Sequence, residues 1–132
     1  MIIDSSALVS VIRREEDHQV FFDTITKADT AFLSAATLAE TSIVLLGRTQ
    51  RVDLYWELDA LIAQNAIAVE PVTAEDARTA RDAFRAYGKG RHPASLNFGD
   101  CFTYALARRL WQPILCKGND FALTDASIVA LA

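Results

Sequence analysis

Four carboxylates stand where this chain can do chemistry. Asp4 directly follows the apolar run Met1-Ile2-Ile3, and Asp120 follows Pro113–Cys116 through Lys117-Gly118-Asn119. Glu40 lies one turn into the helical stretch after Thr30–Ser34. Asp100 opens an apolar run in Asn97-Phe98-Gly99-Asp100-Cys101-Phe102. Taken singly, three of them have ordinary readings. Asp4 suits a helix N-cap, Thr37-Leu38-Ala39-Glu40 matches a capping box, and Asp120 in Gly-Asn-Asp suits a turn. Asp100 is harder to dismiss, because a carboxylate among Phe98, Cys101, Phe102 and Tyr104 needs a partner. Taken together, the four change meaning. Carboxylates gathered within a few ångströms repel by about 4 kcal/mol per pair at ~4 Å and an effective dielectric of ~20. They stay ionised together only beside a cation. Oxygen ligands without a Cys/His cluster select a hard ion, Mg²⁺ or Mn²⁺, over zinc. Such a centre suits phosphodiester chemistry, because the metal polarises a phosphoryl oxygen and activates a water.

The elements that must position these acids alternate in type. Met1–Ile3, Thr30–Ser34, Ile67–Val72 and Pro113–Cys116 read as strands, and Ser127–Leu131 as a candidate fifth. Between them, Ser6–Arg13, Asp17–Lys27, Thr37–Arg48, Val52–Asn65, the stretch from Thr73 to Gly88, and Asp100–Leu110 read as helices. Thr73 is an N-cap, with Glu75 and Asp76 favouring the positive end of its helix. Asp100–Leu110, apolar up to Arg108, reads as a buried central helix. This alternation predicts an α/β domain over residues 1–132, with a mainly parallel central sheet of four to five strands flanked by helices. In such folds sites form outside the carboxyl ends of the strands, where a parallel sheet can bring the four acids to one edge.

Composition narrows the class. The chain has 132 residues, 52% hydrophobic, with a net charge of −4, which suits one domain and excludes disorder. No uncharged stretch exceeds ten residues (Thr30–Ala39 and Ala60–Val69 reach it), whereas a spanning helix needs ~20. The start, Met1-Ile2-Ile3-Asp4, lacks the basic n-region of a secretory leader. Two Cys without CxxC spacing form no metal knuckle or disulfide framework, so a reducing cytoplasm is expected. With the four acids set aside, 13 acids face 13 bases, so the acidity belongs to the site rather than to the surface.

Met-Ile-Ile-Asp-Ser-Ser-Ala-Leu at 1–8, Ala-Glu at 39–40, Leu-Asn-Phe-Gly-Asp-Cys-Phe-Thr-Tyr-Ala-Leu-Ala at 96–107 and Leu-Cys-Lys-Gly-Asn-Asp-Phe at 115–121 resemble a PIN domain. More narrowly, they resemble the VapC ribonuclease toxins of type II toxin–antitoxin systems. The resemblance runs through essentially the whole chain in order and spacing. It implies an endoribonuclease dependent on Mg²⁺ or Mn²⁺, pairing as a homodimer and inhibited by a VapB-type antitoxin. Carried over by position, Asp4 and Asp100 would be direct metal ligands. Glu40 and Asp120 would complete the cluster, through water or at a second ion. Ser6 would steady Asp4, and Asn97 would steady Asp100.

Other features divide between chemistry and packing. Arg78, Arg81, Arg85 and Lys89 recur at helical spacing, away from an expected inward stripe of Ala77, Ala80, Phe84 and Tyr87. They form a candidate RNA-phosphate stripe, against a solvated face with pairs such as Arg78–Asp82. Lys117 is a further candidate for phosphate contact. Cys101 and Cys116 read as core residues. His18 and His92 lack the partners of a general base, and Trp56 and Trp111 suit packing or an interface. Two rival functions remain. An aspartyl phosphatase of the haloacid-dehalogenase type needs a second Asp where Ser6 stands. A non-catalytic module binding RNA or antitoxin has no use for four mutually repelling acids.

Overall fold

The computed structural model describes residues 1–131. Four short strands, β1 (Ile2–Ile3), β2 (Phe32–Ser34), β3 (Ala68–Glu70) and β4 (Ile114–Leu115), form an all-parallel sheet in the order β3-β2-β1-β4. Six helices connect them: α1 (Ser5–Arg13) and α2 (His18–Thr26), then α3 (Ala35–Thr49) and α4 (Asp53–Gln64), then α5 (Ala74–Tyr87) and α6 (Phe98–Leu110). A 3₁₀ turn spans Phe121–Leu123. Ser127–Leu131, the candidate fifth strand, contributes only an isolated parallel bridge from Ile128 to Ile114.

Successive strand residues point to opposite faces, and this splits the core in two. Ile3, Leu33 and Leu115 pack with Leu8, Phe21, Ile25, Leu45 and Leu58 from α1–α4. Ile2 and Ile114 pack with Ala80, Leu96, Leu106 and Phe121 on the α5–α6 side. At β1 and β4 both faces are covered, so these strands read as short apolar runs, whereas the edge strand β3 is largely exposed and ends in Glu70.

The start of α3 differs from the sequence expectation. The Thr37–Glu40 capping box does not form. Ser34 is the N-cap of α3, accepting from the Ala36 amide, and the helix begins at Ala35. Thr37 lies inside the first turn and is buried, which frees the Glu40 carboxyl from backbone duty. The true boxes are Thr73–Asp76 on α5 and Asn97–Asp100 on α6. The inward face of α5 also differs: Asp76, Ala80 and Ala83 are buried, whereas Ala77 and Phe84 face outward. The buried Asp76 meets Arg109 of α6, whose Nε lies 2.9 Å from its Oδ1.

Candidate active site

The sheet order reverses between β1 and β4, so a crevice opens at their carboxyl ends. A cleft of about 410 Å³ occupies that place, and Asp4, Glu40, Asp100 and Asp120 all line it. Residues up to 116 positions apart in sequence meet there: Asp4 and Asp120 follow β1 and β4, while Glu40 and Asp100 come from the N-terminal halves of α3 and α6.

Asp4 leaves β1 and caps α1, and only 3% of it is exposed. Its Oδ2 accepts from Ser6 Oγ at 2.7 Å and from the Ser6 amide at 3.1 Å. Its Oδ1 accepts from Thr103 Oγ1 at 2.9 Å. Because the single Thr103 hydroxyl proton goes to Asp4, its oxygen accepts from Thr37 Oγ1, 3.2 Å away. A buried chain of hydroxyls from α3 and α6 thus orients the β1 carboxylate.

Asp100 sits in the first turn of α6. Its Oδ2 accepts from the Asn97 amide at 2.9 Å, and its own amide donates to Asn97 Oδ1 at 2.8 Å. Burial pushes its pKa up to about 7. The Asn97 bond opposes the rise, and the charges of Asp4, Glu40 and Asp120 add to it. Burial likewise raises Glu40; Ser5 opposes this and the Asp4 charge reinforces it. Glu40 Oε1 is buried without a hydrogen-bond partner. The backbone of α6 passes so close that a Cβ on Gly99 would collide with the Glu40 carboxylate. Asp120 is exposed on the rim, at the start of the 3₁₀ turn.

The other expected residues divide. Ser6 links Asp4 to the Lys117 amide, which donates to Ser6 Oγ at 2.9 Å. The Lys117 ammonium turns to Glu15 at 2.7 Å and Asp17 at 3.1 Å, and these partners raise its pKa. Arg78, Arg81, Arg85 and Lys89 are exposed and, among the described residues, make no ion pair. None of the four lines the acidic cleft. Arg81 instead borders an apolar groove of about 510 Å³ between α5 and α6, with Phe84, Phe98 and Phe102. Cys101 and Cys116 are buried, and burial raises their thiols to about 11 and 12, as suits core residues. His92 Nδ1 accepts from the Ala94 amide, and His18 Nδ1 contacts the Glu15 carbonyl, so both rings serve local backbone. Trp56 and Trp111 are exposed rather than packed.

Sequence reading missed Thr103, Gly99, Glu15 and Arg48. The one signal for Thr103 is a hydroxyl three residues after Asp100 on an apolar helix. Among the described residues, no three Asp, Glu, His or Cys side chains are drawn tightly enough together to hold an ion unaided.

A parallel α/β layer with four acids at its switch point defines the PIN class of fold. The PIN domain family matches residues 1–131. A VapC ribonuclease of Mycobacterium bovis is 46% identical over 125 residues, covering 94% of this chain and 93% of its own. A ribonuclease VapC of Mycolicibacterium smegmatis is 42% identical over 129 residues, covering 98% and 99%. Among solved structures, the Mycobacterium tuberculosis toxin VapC20, described as cleaving the sarcin–ricin loop, superposes with a TM-score of 0.78 at 19% identity, covering 97% of each chain. FitAcB from Neisseria gonorrhoeae superposes with a TM-score of 0.70 at 17% identity, covering 98% of this chain and 97% of its own. The chain belongs to the PIN-domain family, among the VapC ribonucleases.

Proposed function

We propose that the protein is a divalent-cation-dependent endoribonuclease, the toxin of a type II toxin–antitoxin module, with Asp4, Glu40, Asp100 and Asp120 as its metal-holding acids. The observation that carries this reading is the company Asp100 keeps. It is half-buried, raised to about 7 and opposed by three neighbouring carboxylates, an arrangement that costs stability unless a cation neutralises it. The donor set fits a hard cation. It is all oxygen, Glu40 Oε1 is buried and unpartnered, and Gly99 leaves room for that carboxylate. Mg²⁺ keeps several waters and takes only one or two carboxylates directly, so a loose acid cluster suits it.

When bound, the cation would polarise the phosphoryl oxygen and activate the attacking water. The residues of the chain prepare the place. Ser6 and Thr103 fix both oxygens of Asp4, the Asn97 box fixes Oδ2 of Asp100, and Glu40 presents its free oxygen. Asp120 faces solvent from the rim, where an RNA strand must enter. Ser6 and Asn97 thus act as supports for Asp4 and Asp100.

The phosphatase reading is disfavoured by the same geometry. The position where that chemistry needs a second Asp holds Ser6, whose hydroxyl donates to Asp4 Oδ2. The partners that follow are a VapB-type antitoxin, RNA as substrate and a second copy of the chain, with the cytoplasm as compartment. No described helix is long and apolar enough to cross a membrane.

The test is cleavage of total RNA by protein freed of antitoxin, in Mg²⁺, Mn²⁺ or EDTA, beside Asp100→Asn. Discrete EDTA-sensitive products absent from the variant are expected. Equal cutting by both proteins would mark a contaminant. No cutting by folded, metal-binding wild type would favour the binding-only module.

A further inference from the structure

The acidic cleft has one wall of opposite sign. Alongside Asp4, Glu40, Asp100 and Asp120, its lining includes Arg48, Lys117 and Glu15. Arg48 follows Glu40 and Val44 on the same face of α3, two steps of four residues apart. It therefore stands roughly 12 Å along the helix axis from the acid. Lys117 belongs to the loop that ends in Asp120, and its amide is tied through Ser6 to Asp4. Both cations converge on Glu15: Lys117 Nζ at 2.7 Å from Oε2, and Arg48 Nη1 at 3.7 Å from Oε1. Lys117 also reaches Asp17, which is anchored by the fully buried Ser10 hydroxyl at 2.6 Å.

We propose that Arg48 and Lys117 form the phosphate-holding wall of this cleft, and that Glu15 is the counter-ion they exchange for RNA phosphates. This rests on the ribonuclease reading and deepens it by naming the residues that grip the strand beside the acids. An RNA strand entering a cleft lined by five carboxylates needs cations beyond any metal. Arg48 and Lys117 are the only Lys or Arg side chains among the residues lining it. Their side chains are 51% and 42% exposed, so they are already at the solvent boundary where a phosphate arrives. Exposed ion pairs of this kind are weak, whereas a guanidinium or ammonium bonded to a phosphate makes charge-assisted hydrogen bonds. Glu15 keeps the two cations folded against the wall and competes with the incoming anion. The exposed stripe on α5 lies outside the cleft and is not part of this grip.

The sign of the Glu15 effect separates this proposal from a merely structural role. Binding of a short fluorescein-labelled single-stranded RNA of mixed sequence is measured by anisotropy as a function of salt. The parent is full-length Asp100→Asn protein in Mg²⁺, which retains the wall and is expected not to cut. Adding Arg48→Ala or Lys117→Ala should weaken binding several-fold and lower the salt slope by about one each. Adding Glu15→Gln should tighten binding several-fold, a gain that a folding defect cannot produce. RNA affinity unchanged by both alanine variants overturns the phosphate wall, as does a parent without affinity for RNA. Weaker binding by Glu15→Gln overturns the exchange. Loss of binding on Arg81→Glu/Arg85→Glu, with the wall variants silent, would return the grip to α5 and overturn the proposal as well. Cleavage of total RNA by wild type is scored separately. RNA binding that depends on the wall without any cleavage would sink the ribonuclease reading, whereas cleavage by wild type with silent wall variants would sink this proposal alone.

Discussion

At the scale of single residues, the site is a set of charges held at a cost. Asp100 is raised to about 7 in the metal-free protein, against about 3.9 for a free Asp. The folded state therefore binds a proton more tightly than the unfolded one. Its contribution to stability is full below about pH 4 and is lost as pH rises toward 7. Asp100→Asn keeps an oxygen for the Asn97 amide and removes the charge. In EDTA at pH 8 it should unfold at a higher temperature than wild type, by an amount worth on the order of 2 kcal/mol. Adding Mg²⁺ should close that gap, since a ligand of the folded state stabilises only the protein that binds it. A wild type more stable than the variant in EDTA would contradict the clustering of charge. Thr103→Val is the complementary case. It removes the donor to Asp4 Oδ1 and leaves a buried carboxylate oxygen unsatisfied, at a cost of about 1–3 kcal/mol. Divalent affinity should fall with it, read by metal titration, while Thr103→Ser should restore both.

At the scale of elements, helix starts decide which acids are free. The first turn of α6 presses on Glu40, so Gly99→Ala must displace either the helix or the carboxylate. It is expected to abolish cleavage while leaving helical content by circular dichroism near wild type. Retained activity would show that Glu40 can move without consequence. Farther from the chemistry, α5 is clamped to α6 by Asp76, whose oxygens lie 2.9 and 3.2 Å from Arg109. Burial alone would raise this acid, but the Arg109 guanidinium and the Thr73 amide outweigh it and hold it below the usual carboxylate range. A depressed folded pKa contributes stability above the unfolded value and loses it as pH falls through the folded one. Asp76→Asn should therefore cost on the order of 2 kcal/mol at pH 7, with the difference narrowing below about pH 4. Urea unfolding at the two pH values checks this. These helix starts also show what a sequence can and cannot reveal. Acids at strand ends were legible because strand type and position follow from short apolar runs. The box at Thr37–Glu40 was misread, since a four-residue pattern is local and Ser34 had already capped the helix. Thr103 and Arg48 were illegible for another reason: each acts through a partner far away in sequence, Asp4 and Glu15, which only the packing of α6 and α3 brings near.

At the scale of the whole molecule, one cleft joins the acids to their opposing cations, while a separate apolar groove runs between α5 and α6. Neutralising the acids should stabilise the fold as a unit. Saturating Mn²⁺ is expected to raise the melting temperature of wild type by several degrees, as mass action on one site predicts. The Asp4→Asn/Asp100→Asn double variant should show no such rise, which differential scanning fluorimetry would reveal. The sheet order carries a further consequence. β1 lies between β2 and β4, so the second residue of the chain waits for the one hundred and fourteenth to complete its pairing. The last two acids, at 100 and 120, arrive with α6 and the loop after β4, and α6 also brings Thr103, the donor to Asp4. A polypeptide growing from its amino end can thus assemble α1 to α4 against two strands long before it owns a blade. The complete acidic cleft therefore exists only once α6 and the segment after β4 have been made.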